Sequence, residues 1–459
     1  MAVVTKTPGV YIEEISVFPP SVAPVATAIP AFIGFTEKAG PSNSLLNTAV
    51  RITSMGEFED TFGKAFGENF NITVVDSPIV NPTSRTVTAT LAAPSDYKLY
   101  YSLQMYFANG GGPCYIIAVG IYGTSITQTP FINALPVVAK EDEPTLILFP
   151  DATALGSPLY GNLVSTSLAL CNKLKDRFVI ADTPTATTLA NMDSGYRTDL
   201  GSNNLKYGAS YFPYINSLLN FGVDGTQTID SYTGTESGIT GVPLNTLKTS
   251  KPSLYNSIIA EITRLFVTLP PSGAIAGIYA SVDRDRGVWK APANVSINAV
   301  SGPSVLVTAQ QQEDLNVDAT SGKSINVIRA FTGKGTLVWG ARTLAGNDNE
   351  WRYVPVRRLF IFAEESIKKA TEFVVFEPND RNTWLRVQTL IGNFLTNLWR
   401  EGALAGATPD EAFFIRVGLG DTMTAQDILE GKLIIQVGLA AVRPAEFIIL
   451  QFMHKLQES

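Results

Sequence analysis

Two short, wholly apolar runs separated by one helix-length stretch constrain this chain more than any other feature. Thr145-Leu146-Ile147-Leu148-Phe149-Pro150 and Phe178-Val179-Ile180-Ala181 each read as a buried strand. Strands of this kind are covered on both faces, as in a parallel sheet between helices. Residues 161–174, between them, carry apolar positions at helical spacing. Strand, helix and strand in that order predict a βαβ unit with a parallel pair, and hence an α/β body. Asp151 and Asp182 fall just past the two strand ends, where α/β enzymes place their chemistry. Aspartates also begin loops and cap helices at such places, and no third ligand or histidine accompanies these two. An α/β hydrolase-type or nucleotide-dependent enzyme using Asp151 and Asp182 is therefore one reading of the chain, and helix capping is the other.

The remaining elements are mixed α+β. Residues 28–35 form a small-residue strand leading into the turn Gly40-Pro41, and the polar stretch up to about residue 97 reads as a surface insertion of short strands. Residues 101–120 read as a helix, a Gly110-Gly111-Gly112-Pro113 break and a buried strand at 114–119. A second polar stretch, 222–241, precedes a helix over 255–266 that Pro270-Pro271-Ser272-Gly273 stops. Two amphipathic helices follow. In the first, Pro355 sits in the tolerant first turn, and Leu359, Phe360, Ala363, Ile367 and Ala370 repeat at helical spacing. The second opens at Asn379-Asp380, carries Trp384, Val387, Ile391, Phe394, Leu395 and Leu398 on one side, and ends before Gly402. Then come a strand at 413–419, a capped helix at 424–430 and a strand at 432–442. The odd positions of that last strand, Leu433, Ile435, Val437, Leu439 and Ala441, are apolar, so one face packs.

The chain ends are unusual. Pro8-Gly9-Val10-Tyr11-Ile12-Glu13-Glu14-Ile15-Ser16-Val17-Phe18 reads as an isolated strand closed by Pro19-Pro20. No hairpin signal follows, so its partner is distant in sequence or belongs to another chain, an edge of the chain's own sheet being equally open. At the other end, Phe447-Ile448-Ile449-Leu450-Gln451-Phe452-Met453 is too apolar to sit in water. It pairs within the molecule or completes a sheet in a neighbour.

Composition narrows the function. A chain of 459 residues exceeds one core and predicts two or more domains. With 45% apolar and only 16% charged residues it is no disordered tether, and it hides surface against other chains. The net charge of -7 comes without a basic run, which argues against nucleic acid. No stretch approaches the ~20 apolar residues of a membrane span, and the start lacks the order of a secretory signal. Folding in the cytoplasm is expected, with export by lysis or inside a larger particle. Cys114 and Cys171 suit neither a disulfide framework nor a zinc site and read as buried small hydrophobes. The single histidine, His454, lies in the terminal apolar run without a nucleophile beside it. Ser321-Gly322-Lys323-Ser324 resembles the end of a phosphate loop, yet the first glycine is replaced by Val317. Glu13-Glu14 and Glu364-Glu365 are adjacent and point apart. No cofactor or metal is expected.

Several blocks in order resemble tail-sheath proteins of contractile phage tails and extracellular contractile injection systems. They are Thr7-Pro8-Gly9-Val10-Tyr11-Ile12-Glu13-Glu14, Arg286-Gly287-Val288-Trp289-Lys290-Ala291-Pro292-Ala293-Asn294 and Gly335-Thr336-Leu337-Val338-Trp339-Gly340-Ala341-Arg342-Thr343-Leu344. Tyr353-Val354-Pro355-Val356-Arg357-Arg358-Leu359, Phe376-Glu377-Pro378-Asn379 and Arg443-Pro444-Ala445-Glu446-Phe447 follow. The chain departs from the family at Val417-Gly418, where a Cys-Asp pair is often seen. Residues 41–97 and 222–250 do not contribute and read as variable insertions.

The resemblance implies a multi-domain sheath subunit and no enzyme. Its expected parts are an N-terminal arm (1–24), an α/β body (25–280), a C-terminal sheath domain (281–442) and a C-terminal strand arm (443–459). Such a subunit stacks with copies of itself around an inner tube protein, between baseplate and terminal cap proteins, without nucleic acid or membrane insertion. A baseplate or cap protein of the same particle is the alternative. The inter-subunit strands would be Val10, Tyr11, Ile12, Glu13, Ile15 and Val17 at one end. At the other they would be Phe447, Ile448, Ile449, Leu450, Phe452 and Met453. Leu433, Ile435, Val437 and Leu439 would mark the receiving sheet. Arg381, Arg386 and Arg400, outside the greasy face of the 379–400 helix, make it a candidate tube-facing surface, an ordinary solvated face being the alternative.

Overall fold

A computed structural model describes residues 22–449 of the chain. They divide into two compact units, the larger holding residues 26–362 and 443–449, the smaller residues 22–25 and 363–442.

The larger unit is built on a nine-stranded sheet among the described residues. Its strands in chain order are β1 (Pro30–Thr36), β2 (Ala49–Ile52), β3 (Cys114–Ile121), β4 (Leu146–Leu148) and β5 (Phe178–Ala181), followed by β6 (Gly208–Phe212), β7 (Val295–Ser296), β8 (Ile325–Phe331) and β9 (Gly335–Val338). They stand side by side as β7-β9-β8-β6-β5-β4-β1-β3-β2. The central strands β8, β6, β5, β4, β1 and β3 run parallel. Antiparallel β2 closes one margin, and β9 with β7 the other. Every residue of β1, β4, β5 and β6 is buried, which is why β4 and β5 read as unbroken apolar runs. The expected βαβ unit is present: β4 and β5 pair in parallel, Leu146 opposite Phe178, with the helix Ser157–Leu174 between them in sequence. Cys114 and Cys171 are free and buried, and burial raises both thiol pKa values.

Three helices matter for this unit's chemistry: α1 (Leu99–Ala108), α2 (Ser157–Leu174) and α3 (Ser272–Arg286). The Pro270-Pro271-Ser272-Gly273 segment, expected to stop a helix, begins α3 instead. The preceding helix has already ended at Thr263, and Val267–Leu269 is a strand. A proline beside the first helical position loses no hydrogen bond, so the same residues serve as a start. Gly273 and Gly277 let α3 lie directly on α1: a Cβ on either would come within 2.3 and 2.5 Å of the carbonyl oxygens of Ser102 and Tyr106.

The two insertions come together. A hairpin of Phe70–Ser77 and Ser84–Leu91 is joined by Ser231–Thr233 into one three-stranded sheet. Arg85 binds Asp76 through Nε and Nη2 at 2.6 and 3.0 Å, and Tyr232 Oη donates to the same carboxylate at 2.6 Å. Stretches some 150 residues apart in sequence are thus parts of a single accessory module.

The helix α4 (Val354–Ala370) carries the chain from the larger unit into the smaller. There α5 (Arg381–Arg400) is capped by Asp380, whose side chain accepts from Thr383 N at 2.9 Å. Val387, Leu390, Ile391, Phe394, Leu395 and Leu398 form its buried stripe. The smaller unit has one sheet among the described residues: β10 (Phe413–Arg416) antiparallel to β11 (Gln436–Leu439). The strand expected over 432–442 is therefore shorter. Side chains capture its first part instead, Asn379 Nδ2 donating to Lys432 O at 2.9 Å and Thr422 Oγ1 to Ile434 O at 2.7 Å.

Candidate functional site

The two-stranded sheet of the smaller unit is open. No residue of β10 or β11 is fully buried, and Phe414 is 52% exposed. A lone antiparallel pair is marginal in water, and here α5 backs it, with Gln388 Nε2 donating to Ile415 O at 3.4 Å. Phe414 lies over Gly438, where a Cβ would come within 2.1 Å of its ring. Just past β11, Ala440 N donates to Ala412 O at 2.8 Å, so even-numbered residues turn their amides toward β10. By the alternation of an antiparallel strand, Val437 and Leu439 turn theirs to the opposite edge. No strand lies against that edge among the described residues. Of the expected receiving residues, Val437 and Leu439 lie in β11, while Leu433 and Ile435 precede it, and all four are half-buried.

The chain enters and leaves the described structure on separate anchors. Val22 is buried, and Val25 N donates to Ser366 Oγ at 3.3 Å. At the other end Phe447, Ile448 and Ile449 are 67, 80 and 81% exposed and have no regular structure, where the sequence suggested a strand. Val10, Tyr11, Ile12, Glu13, Ile15, Val17, Leu450, Phe452, Met453 and His454 lie outside the described residues. Arg381, Arg386 and Arg400 are all exposed on α5, which contains no Asp or Glu. The Arg386 guanidinium stands 5.3 Å from the Phe373 ring centroid.

The two strand-end aspartates are fully occupied as helix caps. Asp151 Oδ2 accepts from Phe35 N at 2.6 Å, while Oδ1 accepts from Lys98 N and Leu99 N at 2.5 and 2.8 Å. It therefore holds the start of α1. Asp182 Oδ1 accepts from Ser272 N at 2.8 Å and Oδ2 from Ser272 Oγ at 2.5 Å, which holds the start of α3. Both carboxyls are wholly buried, and burial pushes each up to about 7 against the pull of these donors. Neither oxygen pair faces a surface that a substrate could reach. The phosphate-loop-like segment offers no free cation either: the buried ammonium of Lys323 is spent on the Arg197 carbonyl. Among the described residues no three His, Cys, Asp or Glu side chains cluster as metal ligands, and no helix is long and apolar enough to cross a membrane.

The description "Phage tail sheath C-terminal domain" fits residues 346–454. The tail sheath protein of Vibrio phage KVP40 is 24% identical over 186 residues, 40% of this chain, and the match spans only 26% of the phage protein. Two solved structures match nearly end to end. The helical sheath of the anti-feeding prophage in its contracted state is 35% identical, covering 98% of this chain and 100% of that one, with a TM-score of 0.67. The PVC sheath complex of an extracellular contractile injection system, also contracted, is 32% identical over 99% of both chains, again with a TM-score of 0.67. With that identity along its whole length, the chain belongs to the tail-sheath protein family of contractile phage tails and extracellular contractile injection systems.

Proposed function

We propose that this chain is a sheath subunit that polymerises around an inner tube and contracts to drive the tube through a target envelope. The observation that carries this reading is the pairing of an open-edged two-stranded sheet with an exposed apolar chain end on the same molecule. Each is open among the described residues: no strand pairs with the outer edge of β11, and the apolar side chains of residues 447–449 are exposed. Strand addition between copies satisfies both. In this reading residues 1–24 and 443–459 are arms, Val10 to Val17 and Phe447 to Met453 supply the added strands, and the β10–β11 sheet receives them. Because backbone pairing survives rigid-body motion when the joining segments bend, copies stay linked while their bodies move. The work of contraction comes from repacking out of a metastable extended state, without nucleotide.

The acid-free face of α5, with Arg381, Arg386 and Arg400, is the surface offered to the tube, which would present acidic groups there. Baseplate and terminal cap proteins bound the ends of the polymer, which assembles in the producing cell and then forms part of a phage-like or extracellular particle. The occupied state of Asp151 and Asp182 favours this over an enzymatic role.

Deleting residues 1–18 tests the reading. The shortened chain should fold, with an unchanged circular dichroism spectrum, and should fail to form striated cylinders in electron micrographs. Normal-length cylinders would sink the strand-exchange claim. In the same assay Arg386→Glu should leave cylinders of sheath alone intact and prevent them from enclosing tube.

A further inference from the structure

The chain leaves the smaller unit at Val442, whose N–H donates to Ala403 O at 3.2 Å. Four residues later it is fixed again, within the larger unit. Glu446 Oε1 accepts from Asn316 Nδ2 at 2.7 Å and Arg342 Nε at 2.9 Å. Its Oε2 accepts from Arg342 Nη2 at 2.6 Å and Tyr353 Oη at 3.0 Å. The cradle is rigid for reasons visible in the fold. Arg342 and Tyr353 face each other across an isolated antiparallel bridge. Asn326 on β8 holds the Arg342 backbone from both sides, donating to its carbonyl at 2.7 Å and accepting from its N–H at 2.8 Å. The Arg342 side chain is only 4% exposed, and its Nη1 donates to the carbonyls of Asn316 and Gly346 at 3.4 and 3.3 Å. Arg443 adds a bond from Nη1 to Asn349 O at 2.9 Å. Burial works to raise the Glu446 carboxyl, but its donors outweigh it and hold the group below its usual range, ionised at neutral pH. One residue further on, Phe447 is 67% exposed.

We propose that Glu446 is a positioning residue that roots the C-terminal arm on the larger unit. The cradle of Arg342, Asn316 and Tyr353 sets the point and direction from which the arm departs toward a second copy. This deepens the strand-exchange reading and rests on it. Without the clamp the last held residue retreats to Arg443, adding three residues of slack, each spanning about 3.3 Å. Slack alone is a small effect. Lengthening a tether from residues 447–459 to 444–459 lowers its effective concentration by only about a quarter. What the clamp supplies is therefore direction and stiffness. An arm rooted in the larger unit pulls on its neighbour when that unit moves, and a loosened arm absorbs the movement.

The test uses the full chain carrying Ala445→Cys as a spin-label site, since Cys114 and Cys171 are buried. Glu446→Ala should raise label mobility in the unassembled chain by about threefold. It should still form sheaths, but with a spread of helical rise at least about twice that of the parent by electron cryomicroscopy. Glu446→Gln keeps the shape and one acceptor for Arg342, so it should fall between the two; it also stands in if the alanine variant does not fold. Label mobility and helical rise unchanged in both variants would overturn the clamp. A chain ending at residue 446 separates the two ideas. If it polymerises like the full chain, the strand-exchange reading fails; if it does not polymerise and Glu446→Ala behaves as the parent, only the clamp fails.

Discussion

The central sheet of the larger unit and the two-stranded sheet of the smaller one solve the same problem in opposite ways. In the first, β1, β4, β5 and β6 are buried on both faces, and antiparallel β2, β9 and β7 stand at the margins. In the second, half the residues of β10 are exposed and the outer edge of β11 meets no strand among the described residues. Both sheets end in unpaired edges among the described residues, but the first buries its central strands between those margins, whereas the second has no buried strand and depends on a helix for support. Natural monomers blunt such edges with charge, proline or bulges. Here Val437-Gly438-Leu439 carries none of these. In the strand exchange proposed above, the first sheet serves stability and the second assembly. Magnitudes agree: each backbone bond gained at the open edge nets only about 0.5–1.5 kcal/mol. Covering an exposed side chain such as Phe447, Ile448 or Ile449 adds about 1.5–3 kcal/mol. In that proposed exchange the apolar arm supplies most of the association energy and the edge sets its register.

The largest expected effect comes from damaging the finished sheet. Phe32 on β1 is wholly buried and meets the Tyr106 ring edge-on at a centroid distance of 5.5 Å. Phe32→Ala should cost about 3–5 kcal/mol of unfolding free energy through lost burial and the cavity left behind. Urea unfolding of the monomer would measure it, and a loss below ~1 kcal/mol would mean the central sheet is not the seat of stability.

A change at the open edge should do the reverse. Val437→Pro removes an amide that points away from β10, at an edge where proline is tolerated. Monomer stability should fall by no more than about 1 kcal/mol, within the range of an edge-strand substitution. Sedimentable polymer should fall by at least about tenfold, the equivalent of 1.4 kcal/mol per contact. Equal loss of stability and polymer would show that the edge is structural, erasing the contrast between the sheets.

What the sequence disclosed follows the same division. The strands β4 and β5 were legible because burial on both faces writes an unbroken apolar run, and they fall within the runs from which the βαβ unit was predicted, whereas β6, Gly-Ala-Ser-Tyr-Phe, carries no such run. The stripe on α5 was legible because Val387, Ile391, Phe394 and Leu398 repeat with the helix. Hidden features depend on polar partners far away in the chain. The start of α3 was mistaken for a stop because its capping group, Asp182, lies 90 residues upstream. The accessory module joins Asp230 Oδ2 to Ile72 N across 158 residues, and no periodicity records that. The Glu446 clamp likewise needs Arg342, 104 residues earlier. Open edges were harder still, because an unpaired strand and a paired one share the same alternation: the 432–442 pattern extends beyond β11, whose limits are set by Asn379 and Thr422.

The smallest expected effect tests whether the finished sheet owes anything to the charge on its capping aspartates. Asp182 is raised by burial from the ordinary aspartate range to about 7. The folded state then binds a proton that the unfolded state has released, so this group's contribution to stability falls as pH rises from about 4 to 7 and is lowest above that. Asp182→Asn removes the titration and keeps both contacts, since an amide oxygen can accept from Ser272 N while the amide nitrogen donates to Ser272 Oγ. At pH 8 the variant should melt about 2–4 °C above the parent, the shift that ~1 kcal/mol produces in a large domain. At pH 4, near the unfolded aspartate pKa, the two should coincide. A variant that melts below the parent at both pH values would mean that the carboxylate is ionised and that its hold on the first turn of α3 outweighs the cost of burying it.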